Sequence, residues 1–325
     1  MTTPGFNKPA YLVGQFGTPI WGVAGSPLPF TGNYFWVDET NGSDGNTGGP
    51  SDAFKTLTQA LANCTANNND VVFMTGSVHV TATVAWNKSK THLIGISPPS
   101  QNSRARIAIN NTAATTGAVS PLVNVTGAGC WFQNIEGFNG INQAATQVTW
   151  AEAGGENYYL NCNFIQTGHA TAAAQAGSRA LTVGSDENLF VGCTIGGDTL
   201  VRATNTNAEL EMIVNPGTGL GAARNIFRDC VFQAFVSDTA DLHVLVGAGA
   251  LDRYVLFHRC TFLNAINSTG ATMAVAFTVN AAAGGSVLLQ ECASVGSTVY
   301  ATSGPIYVMG SVPTGATSGL AVAAT

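Results

Sequence analysis

Charge is scarce in this chain. Lysine and arginine together number 12, and aspartate and glutamate 18, so only 9% of the 325 residues are charged, against roughly 25% in ordinary soluble domains. All four lysines (Lys8, Lys55, Lys88, Lys90) precede residue 91, and the formal net charge is −6. No basic stripe can be assembled from so few cations, which argues against a nucleic-acid partner. No stretch approaches the roughly 18 consecutive apolar residues of a membrane helix, and no membrane partner is expected. Met1-Thr2-Thr3-Pro4-Gly5 has neither the basic nor the apolar region of a secretory signal, so the expectation is synthesis in a reducing cytoplasm. The seven cysteines are odd in number and form no CxxC pair, which fits neither a disulfide scaffold nor a zinc site.

What is present instead is a phrase that returns. "NLFVGCTIGG" at 188–197 is answered by "NIFRDCVFQA" at 225–234, "YVLFHRCTFL" at 254–263 and "SVLLQECASV" at 286–295. Aligned on Cys162, Cys193, Cys230, Cys260 and Cys292, the copies lie 31, 37, 30 and 32 residues apart, and Ile135 holds the cysteine slot 27 residues upstream of Cys162. Each copy is preceded by a partner segment of β-branched or apolar residues: "LVNV" at 122, "ALTV" at 180, "EMIV" at 211, "HVLV" at 243, "AFTV" at 276 and a last candidate, "IYVM", at 306. Turn residues such as Gly184-Ser185-Asp186 separate partner from phrase. The unit is strand, turn, strand, bend, short strand and loop, in about thirty residues, and the length variation falls in the loops.

Such a unit cannot close a core alone, but stacked on copies of itself it buries a continuous interior. The period-two pattern excludes helical repeats. The expected fold is all-β: a right-handed parallel β-helix of about eight coils, with residues 34–325 forming the solenoid and residues 1–33 an extended N-terminal arm. A cysteine repeated at one slot behaves as a small buried hydrophobe, so Ile135, Cys162, Cys193, Cys230, Cys260 and Cys292 are expected as a stacked, reduced core ladder. Before the coils, Phe54, Leu57, Leu61 and Cys64 share a helical face near 52–63, with Ser51 or Asp52 placed to cap it. That helix would cover the open end of the solenoid.

The phrases "YFWVDETNGSDGNTGGPSDAFKTLTQAL", "DVVFMTGSVHV" and "THLIGI" resemble the opening of pectin-lyase-like right-handed β-helix proteins, over roughly residues 34–310. In detail they look most like non-enzymatic particle proteins of tailed phages. The resemblance implies a structural virion protein, a capsid decoration (cement) protein forming a homotrimer on the major capsid protein or another virion protein. A tailspike-like glycan-binding protein or polysaccharide depolymerase is the alternative, and a surface adhesin a third. The superfamily's glycosidases carry an Asp-Asp step with Gly-His-Gly and Arg-Ile-Lys nearby. Here no Asp-Asp occurs, and Gly168-His169-Ala170 and Arg106-Ile107-Ala108 are incomplete.

The residues therefore assign no catalytic group, and the chain is expected not to be an enzyme. No metal and no cofactor are expected, because "DETNGSDGNTGG" at 38–49 does not fit a calcium loop. Asp186-Glu187 reads as a turn, with a functional site as the alternative. Asp229, Arg259 and Glu291 share the slot before the cysteine in three successive coils. They are expected to form an acid–base–acid ladder outside, either a surface salt-bridge row or one wall of a glycan groove. Two or more carboxylates on adjacent coils lining one groove would favour the glycan reading over the structural one. The arm carries Phe6, Tyr11, Phe16, Trp21 and Phe30 without helical or strand periodicity. A free tail is poor in such residues, so they are expected to be buried, on a neighbouring subunit or shell or along the protein's own coils.

Overall fold

A computed structural model describes residues 31–98, 105–109, 119–165, 168–202, 208–265 and 270–309. They form a right-handed parallel β-helix, nearly all strand. The bend divides each cysteine phrase between two sheets. Residues before it (Tyr158–Leu160, Leu189–Val191, Asn225–Arg228, Tyr254–His258, Ser286–Gln290) are successive strands of a ten-stranded sheet, A. Residues after the cysteine (Asn163–Ile165, Thr194–Gly196, Val231–Ala234, Thr261–Asn264, Ala293–Val295) belong to an eight-stranded sheet, B. The partner segments (Val123–Val125, Arg179–Val183, Ala208–Met212, Leu242–Val246, Phe277–Val279) belong to a seven-stranded sheet, C, together with Val148–Glu152, a strand the repeat pattern did not mark. Ile306–Met309 differs from the expectation for the last partner segment. It pairs with Ser286–Gln290 and so closes sheet A.

Parallel pairing in register places like side chains over like at the strand spacing of about 4.8 Å. Phe132, Tyr159, Phe190, Phe227 and Phe257 occupy one inward position of sheet A. Their rings stack with centroids 4.9, 4.5, 4.5 and 5.0 Å apart and planes within 11° of parallel. Beside them run the cysteines. Each thiol reaches the carbonyl of the stacked aromatic one coil earlier: Cys162 to Phe132 at 3.4 Å, Cys193 to Tyr159 at 3.6 Å, Cys230 to Phe190 at 3.5 Å, Cys260 to Phe227 at 3.4 Å and Cys292 to Phe257 at 3.3 Å. A thiol suits this slot because it is apolar in bulk yet a weak donor. Ile135 and the first four of these cysteines are buried, and Cys292, near the C-terminal end, is half-buried. Burial pushes the Cys230 thiol far above its ordinary range.

The bend into sheet B is made by one residue in the left-handed region: Asn134, Asn161, Gly192, Asp229, Arg259 and Glu291 have φ between 51° and 61°. Asn, Asp and Gly enter this region readily, whereas Arg and Glu pay about 1–2 kcal/mol. A second left-handed column, Glu156, Glu187 and Arg224, turns the chain from sheet C into sheet A. The next residue in each case is a buried asparagine. The Asn157 side-chain Oδ1 accepts from the Cys130 amide at 2.7 Å, that of Asn188 from the Asn157 amide at 3.0 Å, and that of Asn225 from the Asn188 amide at 3.0 Å.

At the N-terminal end, the capping helix is shorter than the sequence suggests, Leu57–Asn63, and Thr56 rather than Ser51 or Asp52 is its N-cap. The reason lies in the preceding turn. Phe54 bridges to Val37, and the Asp52 carboxylate accepts from the Thr47 amide and hydroxyl at 2.8 and 2.9 Å. Asp44 holds Thr56 in place by accepting from its amide and hydroxyl. Leu57, Ala60 and Leu61 are buried against the first coils.

Phe190→Ala should remove a ring stacked on both sides and cost about 3–5 kcal/mol, read by urea unfolding. In native protein Cys292 should react first with a thiol reagent, while Cys162, Cys193, Cys230 and Cys260 react only on unfolding. Rapid native labelling of those four would contradict their inward placement.

Candidate functional site

The turns from sheet C into sheet A have unequal lengths, and the inequality makes a groove. Gly154, Gly155 and Glu156 form one short turn, and Ser185 and Asp186 lie on the next. On the third coil the chain makes a longer excursion through Asn215, Thr218 and Leu220 that walls the same hollow, while Ala128 marks its far end. The cavity measures about 290 Å³. Asn215 fixes the excursion: its side-chain Oδ1 accepts from the Gly217 and Thr218 amides at 2.8 and 3.1 Å, and its Nδ2 donates back to the Ala153 carbonyl at 3.3 Å. Leu220, 68% exposed, gives the wall an apolar surface.

Two carboxylates from adjacent coils line this groove. The Glu156 amide donates to the Asp186 carbonyl at 2.8 Å, which sets the two turns side by side. Asp186 Oδ1 accepts from the Ala223 amide at 2.7 Å. Both side chains are exposed, and no lysine or arginine lines the groove among the described residues.

Beneath the floor lies a third carboxylate. Glu152, on the inward side of its strand, is 1% exposed. Its Oε1 accepts from the Gly154 and Gly155 amides and the Ser185 hydroxyl at 2.8, 3.0 and 2.9 Å. Its Oε2 accepts from Asn157 Nδ2 at 2.9 Å and from the Tyr159 hydroxyl. Burial raises its pKa above the usual carboxylate range, against these hydrogen bonds, which lower it. Glu152 therefore ties three groove-lining residues to the ring stack.

The other candidates fall elsewhere. Arg259 grips Asp229 through two hydrogen bonds of 2.7 and 2.8 Å, both side chains about half exposed. Glu291 forms no ion pair with Arg259; its carboxylate lies 3.9 Å from His258 Nε2, while Arg259 is engaged by Asp229. Glu187, beside Asp186, pairs with Arg224 at 2.6 Å. In the 38–49 turn, Asp38 accepts from the Thr40 and Asn41 amides, Glu39 meets His79 at 2.8 Å, and Asp44 holds Thr56. His169 caps a four-residue helix, and Arg106 meets Glu136 at 2.5 Å. Phe6, Tyr11, Phe16, Trp21 and Phe30 lie outside the described residues.

Sequence reasoning missed a buried ion cluster between sheets B and C. Arg202 donates to Glu209 Oε1 at 2.5 Å, and Glu209 Oε2 meets His243 Nδ1 at 3.0 Å, all three side chains closed to solvent. Gly196 leaves the space that Glu209 fills. Solvent exclusion makes this cluster an internal tie and not a substrate site. Glu152 and Glu156 were also missed. The repeated phrases Glu156-Asn157, Glu187-Asn188 and Arg224-Asn225 could have marked the turn column on which Glu156 sits.

The chain's three-sheet helix matches solved structures of known proteins. A rhamnogalacturonan lyase superposes with a TM-score of 0.54 at 14% identity, covering 82% of this chain and 69% of that one. The pectate lyase Pel9A superposes with a TM-score of 0.54 at 16% identity, covering 85% and 67%. The pectin methylesterase PemA from Erwinia chrysanthemi does so with a TM-score of 0.51 at 12% identity, covering 84% and 87%. The fold is the pectin-lyase-like parallel β-helix. No protein-family model and no curated protein sequence matches the chain. These structural neighbours are enzymes, which overturns the expectation of a non-enzymatic protein. At such identities the likeness carries the fold, so any chemistry must come from this chain's own groove.

Glu152 ionises at a cost in the folded state. With its pKa raised above the unfolded value, its contribution to stability is full below the ordinary carboxylate range and is lost as pH rises through the raised value. Glu152→Gln should thus be less destabilising relative to wild type at pH 8 than at pH 4 in urea unfolding. Glu152→Ala, which strands several donors, should cost about 3 kcal/mol or more.

Proposed function

We propose that the chain is a polysaccharide-acting β-helix protein that binds a glycan across the turns joining sheets C and A and hydrolyses it there. The observation that carries this reading is the groove with Glu156 and Asp186 on adjacent coils. Glycoside hydrolysis needs two carboxyl groups flanking one bond, one to protonate the leaving oxygen and one to activate water or attack the sugar. Asp186, held by the Ala223 amide, suits the fixed role of base or nucleophile. Glu156, whose carboxylate no described residue binds, suits the acid that follows the leaving oxygen.

The lining also selects the substrate. Two carboxylates and no cation repel polyuronates and sulfated chains. Neutral sugars or amino sugars fit, with the apolar face of one ring laid on Leu220. The enzymes whose structures are similar are named for pectin and its relatives, and this groove is proposed to take a different class. On the resemblance of its N-terminal phrases, a place on a phage particle is proposed as well, where such an activity would act on a host-surface polysaccharide.

Release of reducing ends from neutral and amino-sugar polysaccharides should be measured beside polygalacturonate, which should give none. Glu156→Gln and Asp186→Asn should each lower the rate at least about 100-fold, in line with loss of a general acid or base, with unchanged thermal unfolding. Asp229→Ala and Glu291→Ala should stay within about twofold. No product from any glycan, or activity lost with Asp229→Ala in place of Glu156→Gln, would sink the assignment.

A further inference from the structure

Successive turns from sheet C into sheet A stack in chain order along the groove. The first three, 126–130, 153–157 and 184–188, are short and equal in length. The fourth, 213–224, is more than twice as long, and the next, 247–253, is shorter again. The surplus chain of the fourth turn has to leave the stack, and it leans back towards the N-terminus. Asn215 Nδ2 reaches the Ala153 carbonyl at 3.3 Å, two coils earlier. On the way it crosses Gly184, where a Cβ would stand 3.1 Å from Ile213 Cγ1 and 3.2 Å from Asn215 Cα. The missing side chain at Gly184 lets the two turns close up.

The long turn is a fixed wall. Within it the Asn215 amide donates to the Leu220 carbonyl at 2.9 Å, and the Gly219 amide to the Asn215 carbonyl at 2.8 Å. Behind it the next coil fits closely: the Ala222 amide donates to the Ala250 carbonyl at 2.8 Å, and a Cβ on Gly221 would stand 2.4 Å from the Gly249 carbonyl oxygen. The opposite end of the groove is low. Its tip is Gly127-Ala128-Gly129, and beyond it lies the long Lys90 side chain, 3.3 Å from where a Gly129 Cβ would stand.

A groove walled at one end and low at the other holds a chain by its end. From the tip at Ala128 to the wall is three strand spacings, roughly 15 Å. The volume of about 290 Å³ sits at the small end of ligand pockets, which leaves room for a few sugar rings and not for a polymer passing through. Asp186 stands on the coil next to the wall, and Glu156 one coil farther out. A bond held between them is therefore close to the closed end. On the reading that these two carboxyl groups cut a glycosidic bond, we infer that the groove takes the end of a glycan chain and releases mono- and disaccharides, with the turn 213–224 as the wall that sets this.

The test follows product size and viscosity on chitosan, dextran and galactan. Mono- and disaccharides should appear from the start while viscosity falls slowly. Deleting residues 216–219, with thermal unfolding unchanged, should shift the products to longer oligosaccharides. If that deletion unfolds the chain, Leu220→Gly supplies the lowered wall. Early long fragments from the wild type, or products of unchanged size once the wall is lowered, would overturn the chain-end inference and leave the acid pair standing. Independently of turnover, Glu156→Gln should bind oligosaccharides of these glycans with an affinity that stops rising beyond about three units, the span of the hollow. Affinity that keeps rising up to the hexamer would also overturn the inference. No product and no binding would overturn it together with the reading on which it rests.

Discussion

The requirement that each coil lie in register on the one before governs this molecule. A ring stacked at 4.5–5.0 Å on both neighbours has no freedom to be replaced by a different shape. Fully burying such a side chain is worth about 2–3 kcal/mol, and aromatic pairing adds about 0.5–1.5 kcal/mol per contact. A left-handed bend residue that is not Gly, Asn or Asp costs about 1–2 kcal/mol. The stacking wins, so Arg259 and Glu291 are held at φ values near 53° because the coil must turn there for the next ring to land. The thiols sit in the slot between ring and bend that Ile135 also fills, where a side chain that is apolar in bulk and a weak donor beside a carbonyl is favoured.

That constraint also decides which parts of the structure can be read from the sequence. Inward positions repeat because every coil imposes the same shape, and the cysteine phrase with its partner strands therefore announced sheets A, B and C. Turns are released from it. Glu156 and Asp186 meet because a turn in one coil lies beside a turn in the next, thirty residues later, and the Glu-Asn step common to both turns does not include Asp186. The wall made by Asn215 to Leu220 occurs in a single coil and so has no periodic signature at all. Thr56 was hidden as the helix N-cap for a related reason: the competing use of Asp52 by Thr47 and of Phe54 by Val37 is tertiary.

The single acid–base column visible in the sequence was the less informative one. Asp229, Arg259 and Glu291 were conspicuous because they sit in a repeated slot, yet two of them neutralise each other on the surface, where solvent screening leaves such a pair little net effect. Repetition in a solenoid reports what the backbone demands of a position. A site must break the repetition somewhere, since a ligand is bound once and not in every coil.

In a chain with so few charges, the state of each carboxylate carries more weight than usual. Glu136, Glu152 and Glu209 are buried within hydrogen-bond networks or ion pairs. Glu187 and Asp229 are exposed but matched to Arg224 and Arg259. Glu156 is exposed with no cation paired to it among the described residues, and it faces a hollow whose other acid is Asp186. Its lining holds no lysine or arginine among the described residues. Directly below, Glu152 fastens Gly154, Gly155 and Ser185 to the core by three hydrogen bonds. In the proposed function, that fastened floor is what keeps the acid pair preorganised for catalysis.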